Sequence, residues 1–173
     1  MSVHRTHAIT VPEAALTATQ GVPNACNQCH LDRSVNWAIT QSKAWWPQRF
    51  ASATTSSDKT FDQPEGLRAL FAGDALTRAL AAEALNQSEW ATPYLLEAFN
   101  DNYPIVRYFI GQSLMQRRTD LPRLDYLATT AERERTVTAW WQRVMQADQR
   151  AAIVTLANQL RALRLNTDLD VGE

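Results

Sequence analysis

The clearest structural signal in the sequence is residues 66–87, which read Gly-Leu-Arg-Ala-Leu-Phe-Ala-Gly-Asp-Ala-Leu-Thr-Arg-Ala-Leu-Ala-Ala-Glu-Ala-Leu-Asn-Gln. Apolar side chains recur there at intervals of three and four residues, the spacing that places them on one face of an α-helix. We therefore predict an amphipathic helical stretch from Gly66 to Gln87. Its buried face would consist of Leu67, Leu70, Phe71, Leu76, Leu80, Ala81, Ala84 and Leu85.

The same periodicity continues along the chain. It predicts further helices over residues 91–100, 104–117, 124–146 and 149–165. The 173 residues include only 5 Gly and 7 Pro, which argues against collagen, low-complexity disorder and turn-rich all-β folds. The predicted fold class is therefore all-α.

A segment between two of these helices, residues 101–107, reads Asp-Asn-Tyr-Pro-Ile-Val-Arg. An Asp ahead of a Pro in the first helical turn, followed by an Arg, resembles the helix junction of HEAT-type repeats. Arg78, Arg107 and Arg135 recur at spacings of 29 and 28 residues. We predict about two HEAT-like repeats with a degenerate third, and an irregular helical bundle is the alternative.

The charge balance narrows the choice of partners. The chain has 17 Lys and Arg against 18 Asp and Glu, a formal net charge of -1. Nucleic acids and anionic membranes need a basic face, so neither is expected as a partner. No run approaches the roughly 18 apolar residues of a membrane span, and the N-terminus lacks the pattern of a secretory signal.

The sequence pattern of the N-terminal third differs from that of the helical remainder. Residues 1–25 lack a helical period and contain Pro12 and Pro23, which predicts an extended arm. Residues 32–46 fit a short amphipathic helix ended by Pro47. Three parts are predicted: a ligand-binding segment over residues 1–50, a polar linker over 51–64 and a HEAT-like helical region over 65–173.

Both cysteines of the chain fall in Cys26-Asn-Gln-Cys-His30. This is the attachment pattern of c-type haem. Two thiols three positions apart on one helical turn can each add to a haem vinyl group, and the following imidazole can then bind the iron. The motif predicts one covalent haem held by Cys26 and Cys29, with His30 as the proximal ligand.

Three other interpretations of the motif stay open. A redox dithiol normally follows a strand in a thioredoxin-like fold, and no strand pattern precedes this one. A structural zinc site needs about four ligands, which the two thiols, His30 and one N-terminal histidine would just supply. The third is a chance histidine, although the whole chain has only 3.

The second axial position of the iron has several candidate ligands. In cytochromes it is filled by His or Met. His4 and His7 both lie upstream of the motif, and either can loop back. Met115 and Met145 lie inside helical patterns, where a core position is the commoner role.

A longer stretch carries a resemblance to a known family. It comprises Arg5-Thr-His-Ala-Ile-Thr-Val-Pro and then Gly21-Val-Pro-Asn-Ala-Cys-Asn-Gln-Cys-His-Leu-Asp-Arg-Ser-Val-Asn-Trp-Ala. This stretch resembles the last haem-binding segment of multihaem c-type cytochromes that carry a helical-repeat region after their haem domain. The resemblance covers residues 5–46, and more loosely 65–118.

The resemblance implies roles for individual residues. By position, Cys26 and Cys29 would hold haem, His30 would be the proximal ligand and His7 would match the family's upstream histidine. The family usually has several such motifs and this chain has one, so at most one haem binds by it. His7 would therefore bind this chain's own haem or reach a haem on a partner chain.

Side chains near the motif in sequence add two expectations. Arg33 and Arg49 are candidates for bidentate bonds to haem propionates, with a solvated role as the alternative. Trp37, Trp45 and Trp46 would either pack on the haem or serve as core aromatics.

The expected function is one-electron transfer by a c-type cytochrome rather than an enzyme reaction. Bis-His ligation would leave the iron no open position. A five-coordinate iron would instead favour a ligand sensor or a peroxidase-like protein. The helical region is expected to dock on a redox partner, such as a multihaem cytochrome or a membrane redox complex, of which the chain would then be a non-catalytic subunit. Covalent haem attachment places the protein in the periplasm or outside the cell, and a zinc-bound helical adaptor is the haem-free alternative.

Overall fold

The computed structural model describes residues 13–164. The chain divides into two compact units, and the second begins at Glu65. All regular structure within the described residues is helical, apart from one isolated bridge between Ser34 and Pro64. The all-α prediction is confirmed.

Over its described residues, 13–64, the first unit contains three α-helices: α1 (Ala14–Gln20), α2 (Ala25–Cys29) and α3 (Val35–Trp45). Helix α3 ends before Pro47, as predicted. The buried core of this unit is small because α1 and α3 contribute mostly short side chains. Cys26, Trp37 and Phe61 pack against this core from its edge. The core residues are Ala14, Val35, Ala38 and Ile39.

Helix α1 lies inside the segment predicted as an extended arm, so the prediction is corrected over residues 14–20. Pro12 and Pro23 flank this helix instead of interrupting it. The helix ends at Gly21, whose φ of 70° lies in the left-handed region that a glycine adopts at little cost. Residues 1–12 of the predicted arm lie outside the described residues.

Residues 51–64, predicted as a polar linker, are held against α3 by the side chain of Asn36. The Asn36 amide donates to Ser56 O at 3.1 Å and to Asp62 Oδ1 at 2.7 Å. Its oxygen accepts from Ser56 N at 2.8 Å. A 3₁₀ helix, Lys59–Asp62, completes the segment, which therefore belongs structurally to the first unit.

The second unit contains the remaining α-helices of the described chain. Helix α5 packs against α4 and α7, α6 packs against α7 and α8, and α9 packs against both α4 and α6. Leucine is the commonest residue in the core between them, and the large aromatic members of this core are Phe71, Phe99, Trp140 and Trp141. The helices are α4 (Glu65–Ala72), α5 (Ala75–Ala84), α6 (Thr92–Ala98), α7 (Pro104–Met115), α8 (Thr130–Val144) and α9 (Ala147–Arg161).

The stretch predicted as one helix over residues 66–87 is two helices, α4 and α5, which meet at Gly73. A Cβ on Gly73 would lie 2.6 Å from Ala69 O and 2.6 Å from Thr77 Cγ2, so only glycine fits this turn. Asp74 then caps α5 by accepting from Thr77 N at 2.7 Å. The apolar periodicity continues across the break, but it does not mark the buried face of α5. Leu76, Leu80 and Ala84, expected on the buried face, are exposed, whereas Ala79, Ala81 and Ala82 are buried.

One arginine contact recurs at the start of three helices. Arg78, Arg107 and Arg133 are each the fourth residue of α5, α7 and α8, and all three are buried. Each donates from Nη1 to the carbonyl five residues earlier: Arg78 to Gly73 O at 2.7 Å, Arg107 to Asn102 O at 2.9 Å, and Arg133 to Ala128 O. Arg135, expected as the third member of the series, is exposed, and Arg133 takes its place.

Within the described residues, none of the helices combines the length and apolar content needed to cross a bilayer.

Glu65, at the start of α4, gives the second unit a testable pH dependence. Burial raises the pKa of its carboxyl above the ordinary value of 4.5, and Arg68, 3.3 Å away, opposes this shift only in part. The folded unit therefore binds this proton more tightly than the unfolded chain does. The stability contribution is fully present below about pH 4.5 and is lost as the pH rises through the folded-state pKa.

We expect Glu65→Gln to raise the melting temperature of the second unit at pH 7, because the buried carboxylate is replaced by a neutral isostere. The gain should shrink towards pH 4, and thermal melts at both pH values measure it. Glu83→Gln, at an exposed position on α5, is the matched control and should change neither melt. A loss of stability in Glu65→Gln at pH 7 would show that the ion pair with Arg68 outweighs burial.

Candidate functional site

The Cys-Asn-Gln-Cys-His motif forms a single short helix and its C-terminal cap. Cys26 and Cys29 lie within α2, and His30 ends it, its backbone N–H donating to Cys26 O at 2.9 Å. Asn24 begins the helix by accepting from Asn27 N at 3.0 Å. The two thiols predicted to anchor haem and the imidazole predicted to bind its iron are therefore brought together on one turn and its immediate end.

Asn27, between the two cysteines, holds the loop that follows them. It is 3% exposed, and its side-chain amide donates to Arg33 O at 2.9 Å, with longer contacts of 3.4 Å to His30 O and Ser34 O. Three carbonyls from His30 to the start of α3 therefore converge on one amide group. This interaction fixes the backbone of His30 relative to the cysteines.

Asn24 connects this loop to α1. Its amide donates to Asn27 Oδ1 at 2.9 Å and to Thr17 Oγ1 at 2.9 Å. The Thr17 hydroxyl donates to Val22 O at 2.6 Å. The resulting buried network of Thr17, Asn24 and Asn27 spans from α1 through α2 to the start of α3.

Sequence reasoning did not assign Asn24 or Asn27 a role, because a C-x-x-C-H pattern treats its central residues as variable. The available signal was the pair of asparagines three positions apart, since Asn is a favoured N-cap residue. Their inward direction depends on α1, which the sequence did not reveal.

The two thiols have different surroundings. Both cysteines are free; Cys26 is half-buried against the core of the first unit, whereas Cys29 and His30 are exposed. Thioether formation requires free thiols that a flat macrocycle can reach, and an iron ligand requires an accessible ring nitrogen. The donor set on α2 therefore fits a covalently bound haem.

An aromatic ring lies beside the imidazole. The ring centroids of His30 and Trp37 are 5.2 Å apart, with a tilt of 59°. The Arg33 guanidinium lies 5.8 Å from the Trp37 centroid and pairs with Asp32 at 3.1 Å on the surface. Trp37 thus supplies an apolar wall next to the predicted iron ligand.

The other tryptophans of the α3 region lie at its far end. Trp45 and Trp46 are 55% and 48% exposed and contact each other edge to face. Arg49 lies over the Phe50 ring, and Phe50 in turn contacts Trp46. The two tryptophans form an exposed aromatic surface that is separate in sequence from the motif.

The remaining predicted ligands fall elsewhere. His4 and His7 lie outside the described residues. Met115 ends α7 and Met145 directly follows α8, so both methionines belong to the second unit. Among residues 13–164, no three His, Cys, Asp or Glu side chains form a group suited to a metal ion, so the zinc alternative depends on histidines beyond that range.

No known protein family, curated protein or solved structure matches this chain.

Proposed function

We propose that the chain is a c-type cytochrome that binds one haem covalently and transfers single electrons. The observation that carries this proposal is the arrangement on α2, where two free thiols and an exposed imidazole lie on one helical turn and its cap. A redox dithiol needs the two thiols alone and leaves the adjacent imidazole without a role. Haem attachment uses all three groups.

Bound haem would supply an iron that cycles between the ferric and ferrous states. The chain's own residues would hold the haem and orient the ligand of its iron. Cys26 and Cys29 would provide the covalent anchors for the haem, and His30 would bind its iron. Asn27 fixes the backbone of His30 through the loop carbonyls, and Trp37 shields one side of the imidazole from water.

The second axial ligand decides the chemistry, and we assign it to His7. With His7 and His30 both bound, no position is open to a small molecule, which favours electron transfer over catalysis. An alternative source of the sixth ligand is a partner chain. A five-coordinate iron would move the proposal to ligand sensing or peroxidase-like activity.

A second candidate is a non-catalytic subunit of a larger multihaem or membrane redox complex. Its support is a set of exposed apolar side chains on two helices of the second unit that pack against each other. Leu76 and Leu80, 67% and 56% exposed, share one face of α5. Ile105 and Tyr108, 49% and 38% exposed, share a face of α7, which packs against α5. Exposed apolar side chains on neighbouring helices are typical of an interaction surface.

Both candidates place the protein in the periplasm or outside the cell, because c-type haem is attached outside the bacterial cytoplasm. The HEAT-like character of α4 to α7 is part of the same proposal. It is supported by the pairing of α4 with α5 and of α6 with α7.

We expect protein made with the c-type maturation machinery to give a sharp low-spin spectrum on reduction with dithionite. Cys26→Ser combined with Cys29→Ser should abolish haem that survives denaturation, because no thioether forms. His7→Ala should convert the spectrum to high spin, and His4→Ala is its matched control. Optical spectra and haem staining of denaturing gels provide the readouts.

The outcomes separate the alternatives. Loss of the low-spin spectrum in His7→Ala but not in His4→Ala fixes the distal ligand. A high-spin spectrum of the unmodified chain contradicts bis-His ligation within this chain and favours a partner-supplied ligand or ligand sensing. Absence of haem from the unmodified chain contradicts the cytochrome proposal and leaves the zinc-bound adaptor.

A further inference from the structure

The second unit contains a polar cavity of about 390 Å³ to which α6, α8 and α9 contribute. Its walls combine arginine side chains with a buried indole. The lining residues that matter here are Glu97, Asp101, Trp141, Arg150, Arg161 and Arg164. None of them belongs to the proposed haem site, so the following inference is independent of the proposed function.

Positive charge at this cavity exceeds negative charge. Asp101 is shared by two arginines: Arg78 donates to it at 2.8 and 2.9 Å, and Arg164 at 3.3 Å. Glu97 is bonded to Arg161 at 2.9 Å. Each cavity carboxylate therefore already has an arginine partner, and Asp101 has two.

Arg150 is the arginine of this cavity that has no carboxylate partner among the described residues. Its side chain forms no ion pair or hydrogen bond with the rest of residues 13–164, and its guanidinium lies 5.1 Å from the centroid of the Trp141 ring. A half-buried guanidinium with five N–H donors and no acceptor is suited to hold a further anion.

The indole N–H of Trp141, which also lines the cavity, is buried and has no hydrogen-bond partner among the described residues. Trp141 as a whole is 2% exposed. Its neighbour Trp140 shows the usual arrangement, because its indole donates to Pro122 O at 2.8 Å. Buried N–H donors are rarely left unpaired, so the Trp141 N–H indicates an acceptor that the described part of the chain does not supply.

The pKa of Arg164 reflects its burial and also an excess of positive charge at the cavity. Burial lowers the pKa of Arg164, and the neighbouring charges of Arg78 and Arg161 lower it further, while Asp101 opposes them. A bound anion would relieve this repulsion.

We propose that this cavity is a binding site for a small oxyanion, such as phosphate or a carboxylate, held by Arg150 and the Trp141 N–H with Arg161 and Arg164 adding charge. Bidentate guanidinium contacts are the common protein mode for such groups.

The test uses the full chain and inorganic phosphate, titrated at constant ionic strength against chloride. The readout is the set of indole N–H resonances in ¹H–¹⁵N spectra, in which Trp141 is assigned by its loss in Trp141→Phe. We expect the Trp141 resonance to move with saturation as phosphate binds. The Trp140 resonance should stay in place because its N–H is already bonded to Pro122.

Arg150→Gln should raise the Kd for phosphate about tenfold or more, the usual effect of losing a hydrogen bond to a charged group. Arg135→Gln, on the exposed face of α8, is the matched control and should leave the Kd unchanged. An unmoved Trp140 resonance in Arg150→Gln verifies that the fold is retained.

The proposal is overturned if phosphate leaves the Trp141 resonance unmoved, if chloride moves it equally, or if Arg150→Gln binds as tightly as the unmodified chain.

Discussion

Replacing Asp101 by alanine should destabilise the second unit by about 3–5 kcal/mol, the usual cost of removing one partner from a buried ion pair. The Asp101 side chain is 2% exposed and that of Arg78 is 5% exposed. Asp101 accepts two bonds from Arg78, one from Arg164 and one from Tyr103 N at 3.0 Å. Alanine leaves the Arg78 charge in the core without a carboxylate.

The chain contains a matched control for this prediction. Arg118 and Asp120 form the same two-bond contact, at 3.0 and 3.0 Å, but on the surface. Asp120→Ala should leave stability unchanged within error, because exposed ion pairs contribute little. The comparison isolates burial as the variable.

Urea unfolding of the full chain measures both variants, and urea is preferred because guanidinium chloride would screen the ion pairs. If Asp101→Ala does not fold, Asp101→Asn retains some of the hydrogen bonds and should show a smaller loss. Adding Arg78→Met to Asp101→Ala should recover part of the stability, since Arg78 no longer leaves a buried charge. Equal effects of Asp101→Ala and Asp120→Ala would contradict the assignment of Asp101 as a core anchor.

Replacing Asn27 by alanine is the second large effect we expect, a loss of about 2–3 kcal/mol in the first unit. The change removes the donor shared by the carbonyls of His30, Arg33 and Ser34, and it leaves the Asn24 amide without one of its two acceptors. The position of His30 relative to the cysteines is then no longer fixed.

The same variant should therefore lower the yield of covalent haem although both cysteines and His30 are intact. Gln28→Ala is the matched control, because Gln28 is the other central residue of the motif and is exposed. Unfolding of the first unit followed by circular dichroism, together with haem staining, measures the two effects. Unchanged stability in Asn27→Ala would show that the buried network is not needed to hold the loop.

The helical class of the fold was predictable because apolar side chains recur at intervals of three and four residues. The buried face of α5 was not predictable, since Leu76 and Leu80 belong to this pattern and are exposed. The break at Gly73 was not, since it depends on how closely Ala69 and Thr77 approach once α4 and α5 pack. Helix α1 was not predicted, because prolines that flank a short helix look the same in sequence as prolines that interrupt one. The local sequence shows where apolar residues recur. It does not show where close contacts between packed helices require a turn.

In the candidate site, too, local spacing was visible in the sequence and contacts between distant segments were not. The spacing predicts Cys26, Cys29 and His30 as the haem-binding residues, and the structure shows that they lie on one helical turn and its cap, while their role stays a prediction. The network through Asn24 and Asn27 depends on Thr17, which comes from a helix the sequence did not reveal. The cavity at Trp141 depends on α6, α8 and α9 coming together, and no local pattern records that juxtaposition.

The arginine contacts at Gly73, Asn102 and Ala128 bear on how this region tolerates insertions and deletions. Each contact is internal to one helix start, reaching back only five residues. Residues gained or lost between Met115 and Ala128 would leave all three contacts in place. The distances between Arg78, Arg107 and Arg133 are 29 and 26 residues, so their spacing in sequence is free to drift while the geometry is kept. What these three helix starts share is an arginine at the fourth position of the helix, and not a fixed period.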